Sequence, residues 1–284
     1  AKPAAVGACS DYYASVNKAW MDANPADPAT GETSALGQLN ALARQQQIEL
    51  LNAAMQAPQN ANQKLLGDFW ASGLDEASVE ANGANPIAPL LKRIDGIRRD
   101  RDIAPAIAAL HQVGIPVAFD FAADIDLADA NRHIGYFSQG GLGLHDPAFY
   151  TRTDADARAL MARYADYVRK ILTLTGTKPD KLEADAGAVI GIETAIAQAS
   201  RAQQAMQDPR SNYALVQVGG LKKQYPHLQL TDFLTAQGVK DDSVSLANPQ
   251  LFAKLDSMVD AYKPEAWKAY LRFQVGAGMA RHLE

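Results

Sequence analysis

A hydrolytic or metal site in this chain would have to come from its histidines, carboxylates, serines and single cysteine, and their spacing decides which chemistry is open to it. Metal-assisted peptide hydrolysis on a helix needs two histidines one turn apart, with a glutamate beside the first to act on the metal-bound water. The histidines are His111, His133, His145, His227 and His282; none is followed by Glu and no two are four apart. Each reads as a satisfied structural residue, and none is assigned to a metal. No Gly-x-Ser-x-Gly elbow occurs, which leaves no serine placed for nucleophilic attack. Cys9 is the single cysteine and has no nearby basic group to activate it. It excludes an internal disulfide and a Cys-based zinc site, and reads either as a free semi-buried thiol or as one whose partner lies in sequence outside this chain. Asp120, Asp124, Asp126 and Asp129 suggest calcium, but the central Gly and the twelfth-position Glu of an EF-hand are missing, so they read as turn-forming and capping residues. Glu193 reads as a salt-bridged helix carboxylate. Thus no catalytic residue and no metal ligand are assigned, no cofactor is expected in this chain, and substrate-binding residues stay unassigned.

The stretch that organises the rest is Gln139 to Tyr150, Gln-Gly-Gly-Leu-Gly-Leu-His-Asp-Pro-Ala-Phe-Tyr. Its glycines each cost about 1 kcal/mol of helix propensity, so it is a shaped loop. A phosphate cradle is disfavoured because no Gly-Lys-Ser/Thr follows and Asp146 would repel an anion. Before the loop, Val117 to Phe121 and His133 to Phe137 alternate and predict a β-hairpin. After it, Asp154 to Leu174 predicts a long amphipathic helix, and Asp180 to Met206 another, carrying Val189, Ile192 and Ile196.

Upstream, Tyr12, Tyr13, Val16 and Trp20 form an aromatic stripe that reads as core, and Asn24-Pro25 ends that helix. Ser34 is expected to cap a helix bearing Leu36, Leu39, Leu42, Ile48 and Leu51. Gln63 to Gly73 and Ala104 to Val113 read as further helices. Arg98-Arg99-Asp100-Arg101-Asp102 reads as a solvated helix end, its acids neutralising its bases. Downstream, Leu228 to Gln237 reads as a short helix, Val239 to Leu246 as a small strand and Asn248 to Tyr262 as a helix. The class expected is mainly α, a multi-helix lobe with a small β-hairpin near residues 117–137.

Length and composition agree. The chain has 284 residues, 48% of them hydrophobic and 7% aromatic, which favours close-packed helices. A net charge of −5 gives no footprint for nucleic acid. No apolar run approaches the roughly 20 residues that span a bilayer. Ala1-Lys2-Pro3-Ala4-Ala5 lacks an initiator Met and reads as a mature terminus after signal removal or as an artificial boundary.

Several of these segments resemble one family. Gln-Gly-Gly-Leu-Gly-Leu, with Asp146 and Tyr150 beyond it, resembles the Gln-Gly-Leu-Gly-Leu-Pro-Asp-Arg-x-Tyr-Tyr segment of the neprilysin-like (M13) zinc metallopeptidases, with departures at His145 and Pro147. Val16, Asn17 and Trp20 are in register with that family's opening. Phe69 to Asp75, Ile192 to Ala197, Asp208-Pro209 with Tyr213, and Trp267 to Phe273 resemble further motifs in the same order. The resemblance runs from about Asp11 to Arg272 and covers the N-terminal helical region of bacterial-type members, ahead of the segment bearing His-Glu-x-x-His.

The resemblance implies that residues 1–284 are an incomplete M13 peptidase, a non-catalytic helical lobe that encloses short peptide substrates against an absent zinc-binding catalytic lobe. Zinc is then expected in the full-length parent and not in this chain, which alone should be inactive. The expected partners are the C-terminal lobe of the same protein and peptide substrates, with no nucleic acid and no membrane-spanning segment, in a secreted or periplasmic setting. The family's arginines near the second helix, which grip a substrate carboxylate, correspond here to Thr30, Glu32 and Asn40, so that clamp is not carried over. The alternative is a non-enzymatic peptide-binding or scaffold protein derived from the same lobe. Under the truncation reading, Trp267, Tyr270, Leu271 and Phe273 are expected to be left partly exposed.

Overall fold

The computed structural model describes residues 7–28 and 31–283; the segment Ala1 to Ala5, Thr30 and Glu284 lie outside the described residues. The chain divides into two compact units between Ala77 and Ser78, and the expected mainly α class with a small sheet holds.

In the first unit the starts of three helices are set by a polar side chain that satisfies an otherwise unpaired N–H. Asp11 accepts from the Ala14 N–H at 2.9 Å and opens α1 (Tyr12–Ala23). Ser34 accepts from Gly37 at 2.9 Å and opens α2 (Ala35–Gln56), while Asn60 accepts from Gln63 at 2.9 Å and opens α3 (Ala61–Leu74). Helices α2 and α3 approach so closely at Gly67 that a Cβ there would stand 2.6 Å from the Ala54 carbonyl oxygen. Trp70 Nε1 donates to Asn52 Oδ1 at 2.8 Å across the same pair.

The aromatic stripe of α1 is not core: Tyr12, Tyr13 and Val16 are 72%, 67% and 60% exposed. Leu36, Leu39 and Leu42 of α2 are exposed too. The physical reason is that α1, α2 and α3 bury only Ala54 and Gly67 among their described residues, so this unit has no interior of its own to receive an apolar face. Cys9 is exposed and free, not semi-buried. Helix α4 (Glu76–Asn82) begins at the last residues of this unit.

The second unit carries the core. It runs through α5 (Ala88–Asp95) and α6 (Ile103–Gln112), then β1 (Phe119–Asp126) and β2 (Asp129–Gln139). Next come α7 (Ala148–Thr151), α8 (Ala155–Leu174), α9 (Leu182–Ala199) and β3 (Leu215–Gln217). Then follow α10 (Val218–Gln224), α11 (Leu230–Ala236), β4 (Ser243–Leu246), α12 (Pro249–Ala261) and α13 (Pro264–Met279). Between α5 and α6, the Asp102 carboxylate accepts the backbone N–H groups of Arg98 and Arg99 at 3.0 Å each, which orders the charged run locally.

The predicted hairpin is present and longer than expected, with Phe121 opposite Phe137 and Phe119 opposite Gln139. Its tip is made by aspartates acting as turn residues: Asp126 accepts from the Ala128 N–H at 2.9 Å and Asp129 from Asn131 at 3.0 Å. The sheet continues beyond the hairpin in the order β1-β2-β4-β3, with β4 parallel to β2 and β3 antiparallel to β4. Helix α9 stops at Ala199, short of the predicted Met206, because Ser200 turns extended (ψ 150°) and its hydroxyl bonds back to the Ile196 carbonyl at 2.8 Å.

Trp267, Tyr270, Leu271 and Phe273, expected to be partly exposed, are each 0% exposed. Helix α13 packs against α5, α6, α8 and α9, so its own unit covers the face that carries these four residues. The Trp267 indole donates to the Met258 carbonyl at 3.1 Å, satisfying the polar atom of a fully buried ring.

Candidate functional site

The glycine loop between β2 and α7 is held from beneath by one carboxylate. Glu193 lies on the same stripe of α9 as Val189, Ile192 and Ile196 and is 0% exposed. Its Oε1 accepts from the Gly143 backbone N–H at 3.1 Å and from Gln274 Nε2 at 2.8 Å. Its Oε2 accepts from the Tyr150 hydroxyl at 2.9 Å and from the Tyr164 hydroxyl at 2.6 Å. A carboxylate offers about four lone-pair positions, and here all are taken by α8, α13, α7 and the loop itself. No cation takes part, so the expected salt bridge is replaced by four neutral donors. Burial pushes the Glu193 carboxyl up to about 7, against the pull of the hydrogen bonds from Tyr164, Tyr150, Gly143 and Gln274. Burial, followed by the Glu193 charge, likewise holds the Tyr150 and Tyr164 phenols well above their ordinary range.

A second clamp fixes the other end of the loop. The Tyr270 hydroxyl donates to the Gly141 carbonyl at 2.8 Å and accepts from the Ala118 N–H at 2.9 Å, tying the loop to the residue before β1. Gly141 sits at φ 75°, and a Cβ would meet the Tyr270 oxygen at 2.6 Å and the Ala118 backbone at 2.7 Å. Tyr270→Phe removes both bonds and leaves a buried N–H unpaired, for an expected loss of about 1–3 kcal/mol. Urea denaturation combined with hydrogen exchange at the Ala118 amide checks this; unchanged exchange at Ala118 counts against the clamp.

The loop's inward N–H groups are therefore committed to protein acceptors: Gly143 to Glu193, and Leu144 to the Tyr150 hydroxyl at 2.9 Å. Asp146 accepts from the Ala148 N–H at 2.9 Å, a turn contact just before α7. Such a loop is not a phosphate cradle, and Glu193, enclosed and fully hydrogen-bonded, is not placed to take a proton from a substrate. In front of the loop lies a recess of about 250 Å³ bordered by Asp120, Gln139, Gly140, His145, Ser200 and Gln274 among others.

The histidines stay apart. His111 Nε2 pairs with the Val117 backbone, 3.0 Å from its carbonyl oxygen and 3.2 Å from its nitrogen, and its ring packs on Phe119 and Phe233. Burial lowers its pKa, partly offset by the Val117 hydrogen bond. No three of His, Cys, Asp and Glu gather in a metal-holding geometry among the described residues. In the first unit, Glu32 borders a wide groove of about 1390 Å³ along α2, with Asp27, Arg44 and Glu49 on its walls; Asn40 is exposed. The Tyr150, Tyr164 and Gln274 partners of Glu193 were missed in the sequence. One signal was available, since a glutamate falling on the apolar stripe of its helix marks a buried, hydrogen-bonded carboxylate.

Comparison with known proteins matches residues 8–284 to the N-terminal model of peptidase family M13. Human endothelin-converting enzyme-like 1 is 23% identical over 99% of this chain and 38% of its own length. Neprilysin-3 of Drosophila melanogaster is 24% identical over 88% of this chain and 34% of its own. The chain thus spans well under half the length of these curated relatives. Among solved structures, Mycobacterium tuberculosis zinc metalloprotease ZMP1 in complex with inhibitor superposes with a TM-score of 0.84 at 24% identity, covering 99% of this chain and 43% of that one. PepO from Lactobacillus rhamnosis gives a TM-score of 0.76 at 16% identity, covering 94% and 43%. These two likenesses establish the fold.

Proposed function

The chain belongs to peptidase family M13, and from that premise we propose that it is the non-catalytic, substrate-enclosing helical lobe of a zinc metalloendopeptidase that cleaves short peptides. The observation that carries the reading is the match of the N-terminal family model along residues 8–284 in a chain without His-Glu-x-x-His. The residues present do not fit a zinc site: His111 is bonded to Val117, and no other ligand set assembles among the described residues. Residues 1–284 are accordingly one incomplete domain of the parent, and the metal chemistry belongs to a C-terminal lobe. What this lobe supplies is confinement, since walls around a bound peptide exclude bulk water and restrict its motion near the reacting centre. The exposed apolar faces of α1, α2 and α3 support a partner that covers them in the parent, namely that second lobe. On the family resemblance, the parent is expected to act secreted or in the periplasm. No helix among the described residues is long and apolar enough to cross a membrane.

The test is direct. The reading frame that encodes this chain is expected to continue into a segment bearing His-Glu-x-x-His, and the two-lobed protein to hydrolyse a quenched fluorescent peptide in a zinc-dependent manner. The 284-residue chain alone is expected to show neither activity nor stoichiometric zinc after dialysis. Zinc retained at one equivalent by the isolated chain, or peptide cleavage that persists through purification, contradicts the proposal. A second reading, a non-enzymatic peptide-binding or scaffold protein, is favoured by Thr30, Glu32 and Asn40 standing where the resemblance places arginines. A natural stop codon after Glu284 would select it.

A further inference from the structure

We propose that the recess in front of the glycine loop binds a cationic nitrogen group, a protonated amine or a guanidinium, through the Asp120 carboxylate and the His145 imidazole. This rests on the recess and stands independently of the peptidase reading. Most polar side chains around it are already engaged. Gln139 uses both ends of its amide on the Arg201 backbone, at 3.0 Å and 2.9 Å. Ser200 donates to the Ile196 carbonyl, and the amide nitrogen of Gln274 is taken by Glu193 and the Gly141 carbonyl.

Asp120 and His145 differ in that no polar atom of either side chain is engaged by another described residue. Asp120 projects from β1 to the mouth of the recess and lies so tightly against Gly140 that a Cβ there would fall 2.5 Å from its Oδ1. Neither side chain makes a hydrogen bond or ion pair among the described residues, and the His145 ring has Phe149 as its aromatic neighbour, at 6.4 Å. No lysine or arginine lines the recess. Although Asp120 is reached by solvent, the surrounding protein is sufficient to raise its carboxyl pKa by desolvation, with no compensating donor.

A carboxylate in this condition gains most from an N–H donor that carries positive charge, because charge-assisted hydrogen bonds are about twice as strong as neutral ones. On another wall of the recess, the ring nitrogen of His145 that carries no proton can accept a further N–H. An anion is excluded by the same carboxylate. A protein-held metal is disfavoured because no third ligand joins these two among the described residues. At about 250 Å³ the recess is below the usual range for whole-ligand pockets, so it fits a head group on a short alkyl stem.

The experiment titrates the 284-residue chain with agmatine and follows the His145 ring and the Gly140 and Gly141 amides by NMR. Saturable shifts are expected at these positions. D120N is expected to weaken binding about tenfold or more, and His145→Ala to weaken it measurably. D124N, an exposed aspartate on the same strand, should leave it unchanged and serves as the charge control. Absence of a saturable shift with agmatine, or D120N binding within about twofold of wild type, overturns the proposal.

Discussion

Replacing Glu193 with alanine is expected to destabilise the second unit by on the order of 3–5 kcal/mol, because several buried donors lose one shared acceptor at once. The Tyr150 and Tyr164 hydroxyls, the Gly143 N–H and Gln274 would all lose their common acceptor, and each buried donor left unpaired costs about 1–3 kcal/mol. Glutamine is the informative companion. Tyrosine hydroxyls accept as well as donate, so the amide nitrogen introduced by Glu193→Gln can face them while the amide oxygen keeps Gly143 and Gln274. This variant is therefore expected to fold and to lose much less at neutral pH.

The two variants also separate in their pH response. The Glu193 carboxyl stands at about 7 in the folded protein, above its ordinary value of 4.5, so between those limits the folded state holds more of this proton than the unfolded state. Stability from this group is fully present below about pH 4.5, falls as pH rises, and is lost once pH passes about 7, for a change on the order of 3 kcal/mol. Urea midpoints measured from pH 4.5 to pH 8 should show this decline in the wild type and a flatter profile in Glu193→Gln. Equal slopes in the two proteins would mean that the carboxyl does not carry the titration.

The second large effect concerns Gly141. Substitution by alanine is expected to cost about 1–2 kcal/mol for the left-handed backbone and a further ~1–3 kcal/mol for overlap, because the atoms a Cβ would meet include the Ala118 backbone, which cannot swing aside. Gly114 supplies the internal control. It has nearly the same φ, 78° against 75°, but nothing within 4 Å of the position a Cβ would occupy. Gly114→Ala should therefore show the conformational penalty alone, about 1–2 kcal/mol. The difference between the two urea midpoints isolates the closeness of the clamp, and equal losses would show that the loop gives way.

Much of the frame was legible in local sequence. Ser34 and Asp154 cap helices where a side-chain oxygen meets an apolar-periodic run. The hairpin follows from alternation on either side of turn-forming aspartates, and Gln139 to Tyr150 had to be a loop because glycine disfavours helix. These are decisions made within a few residues, by backbone propensity and short-range hydrogen bonds. That no two histidines stand one helical turn apart was equally readable, since such spacing is itself a local property.

Whether an apolar face becomes interior was decided elsewhere. The stripe on α1 and the stripe on α13 look alike in sequence, yet Tyr13 is 67% exposed and Tyr270 is 0% exposed. Periodicity reports that a face exists; what covers it depends on which distant helices arrive, and α13 alone of this pair has α5, α6, α8 and α9 around it. Glu193 follows the same rule. The partners that meet its carboxylate lie 29, 43, 50 and 81 residues away along the chain, and Asp120 comes to the same recess as His145 through the turn of β1 into β2 and the loop beyond. The sequence by itself determined most helices, the hairpin and the spacing of its histidines. The tertiary structure decided which charges are buried, which are left without partners, and which apolar surface still faces outward, because those depend on contacts that local propensity does not encode.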